Sequence, residues 1–96
     1  MSETIRILGI PYTVDETSEV EKNGNYGELV PTLGLIRIDP KLSASLRARV
    51  LLHETLEAID EALELNLPHC KISALAAALH QVLVDNPSLI DFLTKR

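Results

Sequence analysis

The sequence predicts an α+β protein with a single domain covering residues 1–96, and three observations lead to this class. Short β-prone segments separated by Gly and Pro fill the first half of the chain. Two long segments with helical spacing of apolar residues fill the second half. A chain of this length can form one modest hydrophobic core. We therefore expect a small antiparallel sheet, built around a hairpin, that packs on a long helix and a second long helix, followed by a short C-terminal helix.

The first β-prone region covers residues 4–10 and 12–14, with interruptions at Gly9 and Pro11. Because Gly and Pro weaken strand interiors, this pattern predicts a bent strand or a short strand pair. Residues 15–25 are charged and contain an Asn-Gly-Asn run, which is a strong turn signal. We expect a loop there.

A β-hairpin is predicted from residues 26–30 and Leu35–Ile38, joined by a connection at residues 31–34 that contains Pro and Gly. Side chains two residues apart in a strand point to the same face. Ile36 and Ile38 should therefore face the core together.

A long helix is predicted from about residue 44 to about residue 65, with Ser43 as its N-cap. Helical spacing predicts a core stripe, which consists of Leu52, Leu56, Ile59 and Leu63. A neighbouring stripe is apolar at first and acidic later, and it consists of Leu42, Leu46, Val50, His53, Glu57 and Glu61 or Glu64.

Asn66, Leu67 and Pro68 should end this helix, since Pro favours the start of a new one. The second helix is defined by apolar residues at helical spacing, which are Ile72, Leu75, Leu79 and Val82 or Leu83. Asn86 and Pro87 should end it. Ser88 is then expected to cap a short final helix through Leu93.

The segment LLHETLEAI at residues 51–59 carries the strongest functional signal. Residues four apart lie on the same side of a helix, so His53 and Glu57 can bind one ion. Glu54 is rotated partly away, where its carboxylate can contact a water on that ion. This H-E-x-x-E pattern differs from the H-E-x-x-H zinc motif in having Glu57 in place of the second His. Carboxylate oxygen is an accepted zinc ligand, so the site can still bind zinc. The competing interpretation is an ordinary solvated helix face formed by Glu54, Glu57, Asp60, Glu61 and Glu64.

A catalytic zinc site needs three protein ligands and one open position. His69, Cys70 and His80 are the candidates for the third ligand. Each also has a structural interpretation, as a local hydrogen-bonding group, a small buried side chain or a residue on a helix face. For His69 to contribute, the second helix must cross the first closely near its own start.

The run LLHETLEAIDEALELNLPHCKISALAAALHQVLVDNP resembles the second half of small phage and prophage proteins of the zincin type, distantly similar to the ImmA/IrrE-like metallopeptidases. In those peptidases the H-E-x-x-H helix precedes a helix of the form E-x-x-A-N-x-F-A, whose first Glu is the third ligand. His69 falls on that position. The chain thus has Glu57 in place of His and His69 in place of Glu, which keeps a set of two His and one Glu.

This resemblance implies a zinc-dependent metallopeptidase with His53, Glu57 and His69 as zinc ligands and Glu54 as the general base. Glu54 would take a proton from the attacking water and pass it to the leaving amine. Tyr26 and His80 are candidate donors to the developing oxyanion. The family fold would also place strand Leu35–Ile38 along the cleft as an edge that a peptide substrate can pair with.

Two functions of other classes are also compatible with the sequence. One is a non-catalytic metal-binding or protein-interaction module with the same fold, since so short a chain has little room for a defined substrate cleft. The other is a self-associating structural protein with residues 74–79 as the contact, although burial of these residues in the core is the plainer interpretation.

The composition limits the partners and the location that we expect. A net charge of −5 and no basic patch argue against nucleic acid or an anionic membrane as the main partner. The expectation of a peptide or protein substrate or partner comes from the resemblance. No apolar run reaches the roughly 20 residues of a membrane span, so no membrane partner is expected. The single cysteine and the lack of a signal-peptide pattern favour the reducing cytoplasm. The sequence does not determine the oligomeric state.

Overall fold

The computed structural model describes residues 2–22 and 26–95, and its architecture is α+β, as predicted. The predicted turn at residues 23–25 lies outside the described residues. The elements are β1 Ser2–Ile7, β2 Ile10–Glu16, α1 Glu19–Lys22, β3 Gly27–Val30, a 3-10 turn Pro31–Leu33, β4 Leu35–Ile38, α2 Ala44–Leu63, α3 His69–Asp85 and α4 Pro87–Thr94.

The four strands form one mixed sheet in the order β1-β2-β4-β3. β1 and β2 form an antiparallel hairpin, which confirms the predicted strand pair. Its two-residue turn has Leu8 and Gly9 at φ 52° and 82°, and positive φ at both positions is typical of a type I′ turn. The predicted hairpin of β3 and β4 is also present. The sheet is larger than expected, and it is mixed rather than antiparallel, because β2 pairs in parallel with β4.

The position of β4 corrects one prediction from the sequence. Leu35–Ile38 was expected to be the exposed edge along the cleft, yet it lies between β2 and β3 inside the sheet. Its second side is occupied by the parallel pairing that runs from Thr13 with Leu35 to Glu16 with Ile38. In the described sheet the edge strand next to β4 is β3.

The core lies between the sheet and α2. Its buried side chains are Ile7, Tyr12, Val14, Ile36, Ile38 and Ala58, with Ile5, Leu29, Val50, Leu51 and Ile59 packed against them. The predicted shared face of Ile36 and Ile38 is confirmed, since both are buried. The predicted core stripe of α2 is confirmed only at Ile59. Leu52 and Leu56 are not among the residues that pack against the core, and Leu63 is exposed, because α2 turns the face of Val50, Leu51 and Ala58 toward the sheet.

Both ends of α2 have clear causes. The Ser43 hydroxyl accepts a hydrogen bond from the Leu46 N–H at 3.2 Å, which confirms the predicted N-cap. At the other end Glu64 adopts a left-handed conformation. The Leu65 N–H donates to the Asp60 carbonyl at 3.1 Å and the Glu64 N–H donates to the Glu61 carbonyl at 3.3 Å. This is a Schellman motif, and it ends the helix two residues earlier than predicted.

The boundary between α3 and α4 falls at Asn86 and Pro87, as predicted. The expected cap at Ser88 is wrong, because Pro87 already occupies the first turn of α4 and Asn86 takes the N-cap position. The short helix α1 lies in a region predicted to be a loop. Among the described residues, none of the helices combines the length and the apolar character that crossing a membrane requires.

Candidate metal site

The three predicted zinc ligands come together where α2 and α3 meet. A Glu57 carboxylate oxygen lies 3.4 Å from His53 Nε2 and 3.5 Å from His69 Nδ1. The two imidazole rings have centroids 4.8 Å apart and planes inclined at 59°. One donor atom from each of the three residues lies within 4.8 Å of the others, so the group can hold a metal ion.

The linker between α2 and α3 explains how His69 reaches the first helix. Glu64 and Asn66 both have positive φ, at 52° and 58°, so the chain turns sharply twice within a few residues. The Asp60 carboxylate accepts a hydrogen bond from the Leu67 N–H at 2.8 Å and fixes the linker against α2. His69 is then the first residue of α3. These turns bring the start of α3 close to α2, as a contribution from His69 requires. The sequence did not indicate how the chain would achieve this.

Two of the three distances between donor atoms fit a tetrahedral ion. With bonds of about 2.0–2.1 Å, neighbouring ligand atoms in a tetrahedral zinc site lie roughly 3.3 Å apart. The two distances from Glu57 are close to that value. His69 is 77% exposed at its side chain, so its ring has room to turn toward the ion. Two imidazoles and one carboxylate form a ligand set that zinc accepts.

The protonation of His53 also suits a ligand. Burial lowers the pKa of His53, and the charge of His69 lowers it further, while Glu57 acts in the opposite direction. Metal ions bind the neutral imidazole. His53 is therefore held in its binding form at neutral pH.

Glu54 differs from the other acidic residues of α2 because it is 7% exposed. Burial raises the pKa of Glu54 to about 7, and the negative charges of Glu57 and Glu28 raise it as well. A carboxyl group with a pKa near the working pH can both accept and donate a proton. The solvated-face interpretation is thus wrong for Glu54, whose side chain is buried.

A cavity of about 780 Å³ opens in front of the metal group. Five of the residues predicted to form the second stripe of α2 line it, namely Leu46, Val50, His53, Glu57 and Glu61. Its other walls come from the region of β3 and from α3, through Tyr26, Gly27, Glu28, Leu29, Pro31, His69, Ser73, Ala76 and Ala77. The remaining lining residues, Arg49 and Glu54, belong to α2. An edge strand, a buried carboxyl group and the three candidate metal donors thus line the same cavity.

Gly27 allows β3 to lie close to α2. A Cβ atom at this position would overlap Cγ1 of Val50 and would lie 3.4 Å from Cγ of Glu54. A glycine inside a predicted strand often indicates such a close approach, and this signal was present in the sequence. Nothing in the sequence indicated that Glu28 would act on the pKa of Glu54 or that Asp60 would hold the linker. Acidic residues are common in edge strands and on helices.

The other predicted candidates have different positions. Cys70 is exposed and lies outside the metal group found among the described residues. His80 is likewise outside that group and is absent from the cavity lining. Tyr26 is exposed and lines the cavity next to β3. Of the two candidate oxyanion donors, Tyr26 alone reaches the site.

Comparison of the chain with protein-family models, with curated proteins and with solved structures gives no significant match. The interpretation of the site therefore depends on its own geometry and chemistry.

Proposed function

We propose that the chain is a zinc-dependent metallopeptidase in which His53, Glu57 and His69 hold the ion and Glu54 is the general base. The observation that supports this most is the meeting of three metal donors and a buried carboxyl group in one cavity beside an edge strand. A phage or prophage origin belongs to the same proposal, since it comes from the resemblance of residues 51–87. A cytoplasmic setting is proposed as well, on the basis of the single cysteine and the lack of a signal-peptide pattern.

Zinc at this site would supply Lewis acidity and lower the pKa of a water toward 7. The Glu54 carboxylate accepts a proton from the attacking water and donates it to the leaving amine. Its pKa of about 7 suits both transfers at neutral pH. Tyr26 lines the same cavity, and its hydroxyl can donate a hydrogen bond to the oxyanion.

The proposed substrate is an extended peptide that pairs with β3. This strand forms hydrogen bonds with β4 on one side and is the last strand of the described sheet on the other. A peptide can add to such an edge through main-chain hydrogen bonds. Because Gly27, Glu28 and Leu29 also line the cavity, a peptide on this edge would pass in front of the metal group.

Metal stoichiometry tests the ligand set. We expect about one zinc per chain in the purified wild type after mild dialysis, measured by elemental analysis, and loss of zinc in His53→Ala and His69→Ala. His80→Ala is the matched control, since it removes a histidine from the same helix as His69 outside the metal group. A wild type that binds no zinc even when zinc is supplied would contradict the proposal.

Glu54→Gln tests catalysis separately from metal binding. The variant should keep its zinc and lose peptide hydrolysis by a factor of about 10² or more, because Gln cannot accept the proton. Hydrolysis would be followed by mass spectrometry on a library of unstructured peptides. Full zinc occupancy with no hydrolysis by the wild type would instead favour the non-catalytic metal-binding module.

A further inference from the structure

The surface of α3 that points away from α2 has an unusual composition for a solvent-exposed helix. We define the outer face of α3 by seven of its exposed residues, which are Lys71, Ala74, Leu75, Ala78, Leu79, Val82 and Asp85. Leu75, Leu79 and Val82 are 45%, 40% and 37% exposed. The opposite side of the helix holds the buried residues Ile72 and Ala76. The expectation that residues 74–79 are buried in the core is therefore wrong for most of this segment.

The chain as a whole exposes more surface than a monomer of its mass usually does. Its accessible area is 6558 Å² for a mass of 10.6 kDa. A monomeric protein of this mass has an accessible area of roughly 5,500 Å². The excess of about 1,000 Å² is similar to the roughly 800 Å² that each partner loses in a standard interface. An exposed apolar face of this kind is typical of an association site.

The charges on the outer face match those of a second copy of the chain in the antiparallel orientation. Lys71, Ala78 and Asp85 are seven residues apart and lie along one line of the helix, at about 10 Å spacing. Rotation about a two-fold axis at Ala78 brings Lys71 of one copy opposite Asp85 of the other, and this pairing occurs twice. The same rotation places Ala74 opposite Val82, so a small residue meets a larger one.

Within one chain, Gln81 donates a hydrogen bond to the Asp85 carboxylate at 2.6 Å, which holds that group at the end of the face. Ala78 at the centre lets the two helix backbones approach closely. We propose that the protein forms a symmetric dimer in which the outer faces of two α3 helices pack antiparallel around Ala78.

The dimer leaves the candidate metal site accessible. Ser73, Ala76 and Ala77 line the cavity, and none of them belongs to the outer face. Each copy therefore retains its own cavity on the side of α3 that faces α2. This proposal is independent of the proposed peptidase activity.

Charge reversal tests the orientation of the two helices. Wild-type chain should sediment as a dimer at micromolar concentrations and dissociate on dilution in sedimentation velocity runs. Lys71→Glu and Asp85→Lys should each weaken dimerisation about tenfold, because each creates two like-charge contacts per dimer. The double variant Lys71→Glu, Asp85→Lys should recover wild-type dimerisation, because the pairs are restored with their signs exchanged.

Two further variants separate packing from general charge effects. Ala78→Arg should abolish the dimer by placing a large charged side chain at the crossing point. Arg6→Glu on β1 changes the net charge by the same amount as Lys71→Glu, lies far from α3 in sequence, and should leave dimerisation unchanged. Circular dichroism would verify that each variant is folded.

A wild type that stays monomeric at several hundred micromolar overturns the proposal. A dimer in which the double variant is no stronger than the single variants also overturns it, since another face or a parallel arrangement would then be responsible.

Discussion

Glu54 is a carboxyl group whose chemistry depends on its burial between α2 and β3. A Cβ atom at Gly27 would lie in contact with its Cγ atom, which shows how closely the strand covers this side chain. Burial and the charges of Glu57 and Glu28 keep its pKa far above the ordinary value of 4.5. A group that is neutral in the folded protein and ionised in the unfolded chain makes stability depend on pH.

The free energy of unfolding of the metal-free protein should depend on pH through Glu54. Because the folded pKa of Glu54 is raised, its contribution to stability is full below about pH 4.5 and is lost as the pH rises through about 7. The free energy of unfolding of the wild type should therefore fall relative to that of Glu54→Gln across this window, by roughly 3 kcal/mol at most.

Urea unfolding of both proteins in the presence of a chelator, from pH 4.5 to pH 8, measures this difference. His53 titrates in both proteins, so its effect on the comparison largely cancels. A difference between wild type and variant that is constant with pH would mean that the Glu54 pKa is not raised.

Asp60 acts on the site without contacting the proposed ion. Its carboxylate holds the Leu67 N–H, two residues before His69. Asp60→Ala should weaken zinc binding about tenfold, because a hydrogen bond to a charged group contributes on the order of 1.5 kcal/mol to the ordering of the linker. Zinc affinity would be measured by competition with a chromophoric chelator.

Asp60→Asn is the matched control for this prediction. The Asn side chain keeps an oxygen that can accept the Leu67 N–H, so zinc affinity should stay within about twofold of the wild type. Equal weakening in both variants would assign the effect to the charge of Asp60 rather than to its hydrogen bond.

At the scale of single elements, β3 can contact α2 closely because Gly27 has no side chain. Gly27→Ala would place a methyl group against Val50, and overpacking of this kind costs about 1–3 kcal/mol. Val50→Ala should relieve the overlap. In a double-mutant cycle measured by chemical denaturation, the loss caused by Gly27→Ala should be clearly smaller in the Val50→Ala background. Additive effects of the two substitutions would mean that β3 lies farther from α2.

The elements that the sequence predicts well are those with local signals. Helical spacing, the Ser43 cap and the Asn86–Pro87 boundary define α2 and α3 to within two residues. The metal group follows from the same kind of information, because His53 and Glu57 are one helical turn apart. For His69 the signal was its place in the resemblance, and the linker conformation that brings it in was not predicted.

The elements that the sequence does not predict depend on contacts between distant segments. The pairing of β2 with β4 joins residues more than twenty positions apart, and no local pattern specifies its parallel direction. The role of Glu54 as a base was predicted from its motif, but its burial was not, because that burial depends on where β3 lies. Leu75 and Leu79 are exposed because α3 packs mainly against α2 and buries Ile72 and Ala76 instead.

For the whole molecule, binding of zinc should stabilise the fold by linkage. At a free zinc concentration of about 100 times Kd, the free energy of unfolding should rise by about 2.7 kcal/mol. Thermal unfolding with and without a chelator measures this change. The rise should be absent in His69→Ala and intact in His80→Ala, and an equal response in both variants would place the ion elsewhere.

The close spacing of the metal donors along the chain has a consequence for folding. His53, Glu57 and His69 fall within 17 consecutive positions, on two adjoining helices, so their contacts have low contact order. The environment of Glu54 instead requires β3, which is tied to β4 and through it to the first strands. Loosening of the sheet should therefore leave metal affinity largely intact while the buried carboxyl group returns to water. In such a partly opened state the proposed metal ligands would stay together while the pKa of Glu54 returned to its ordinary value.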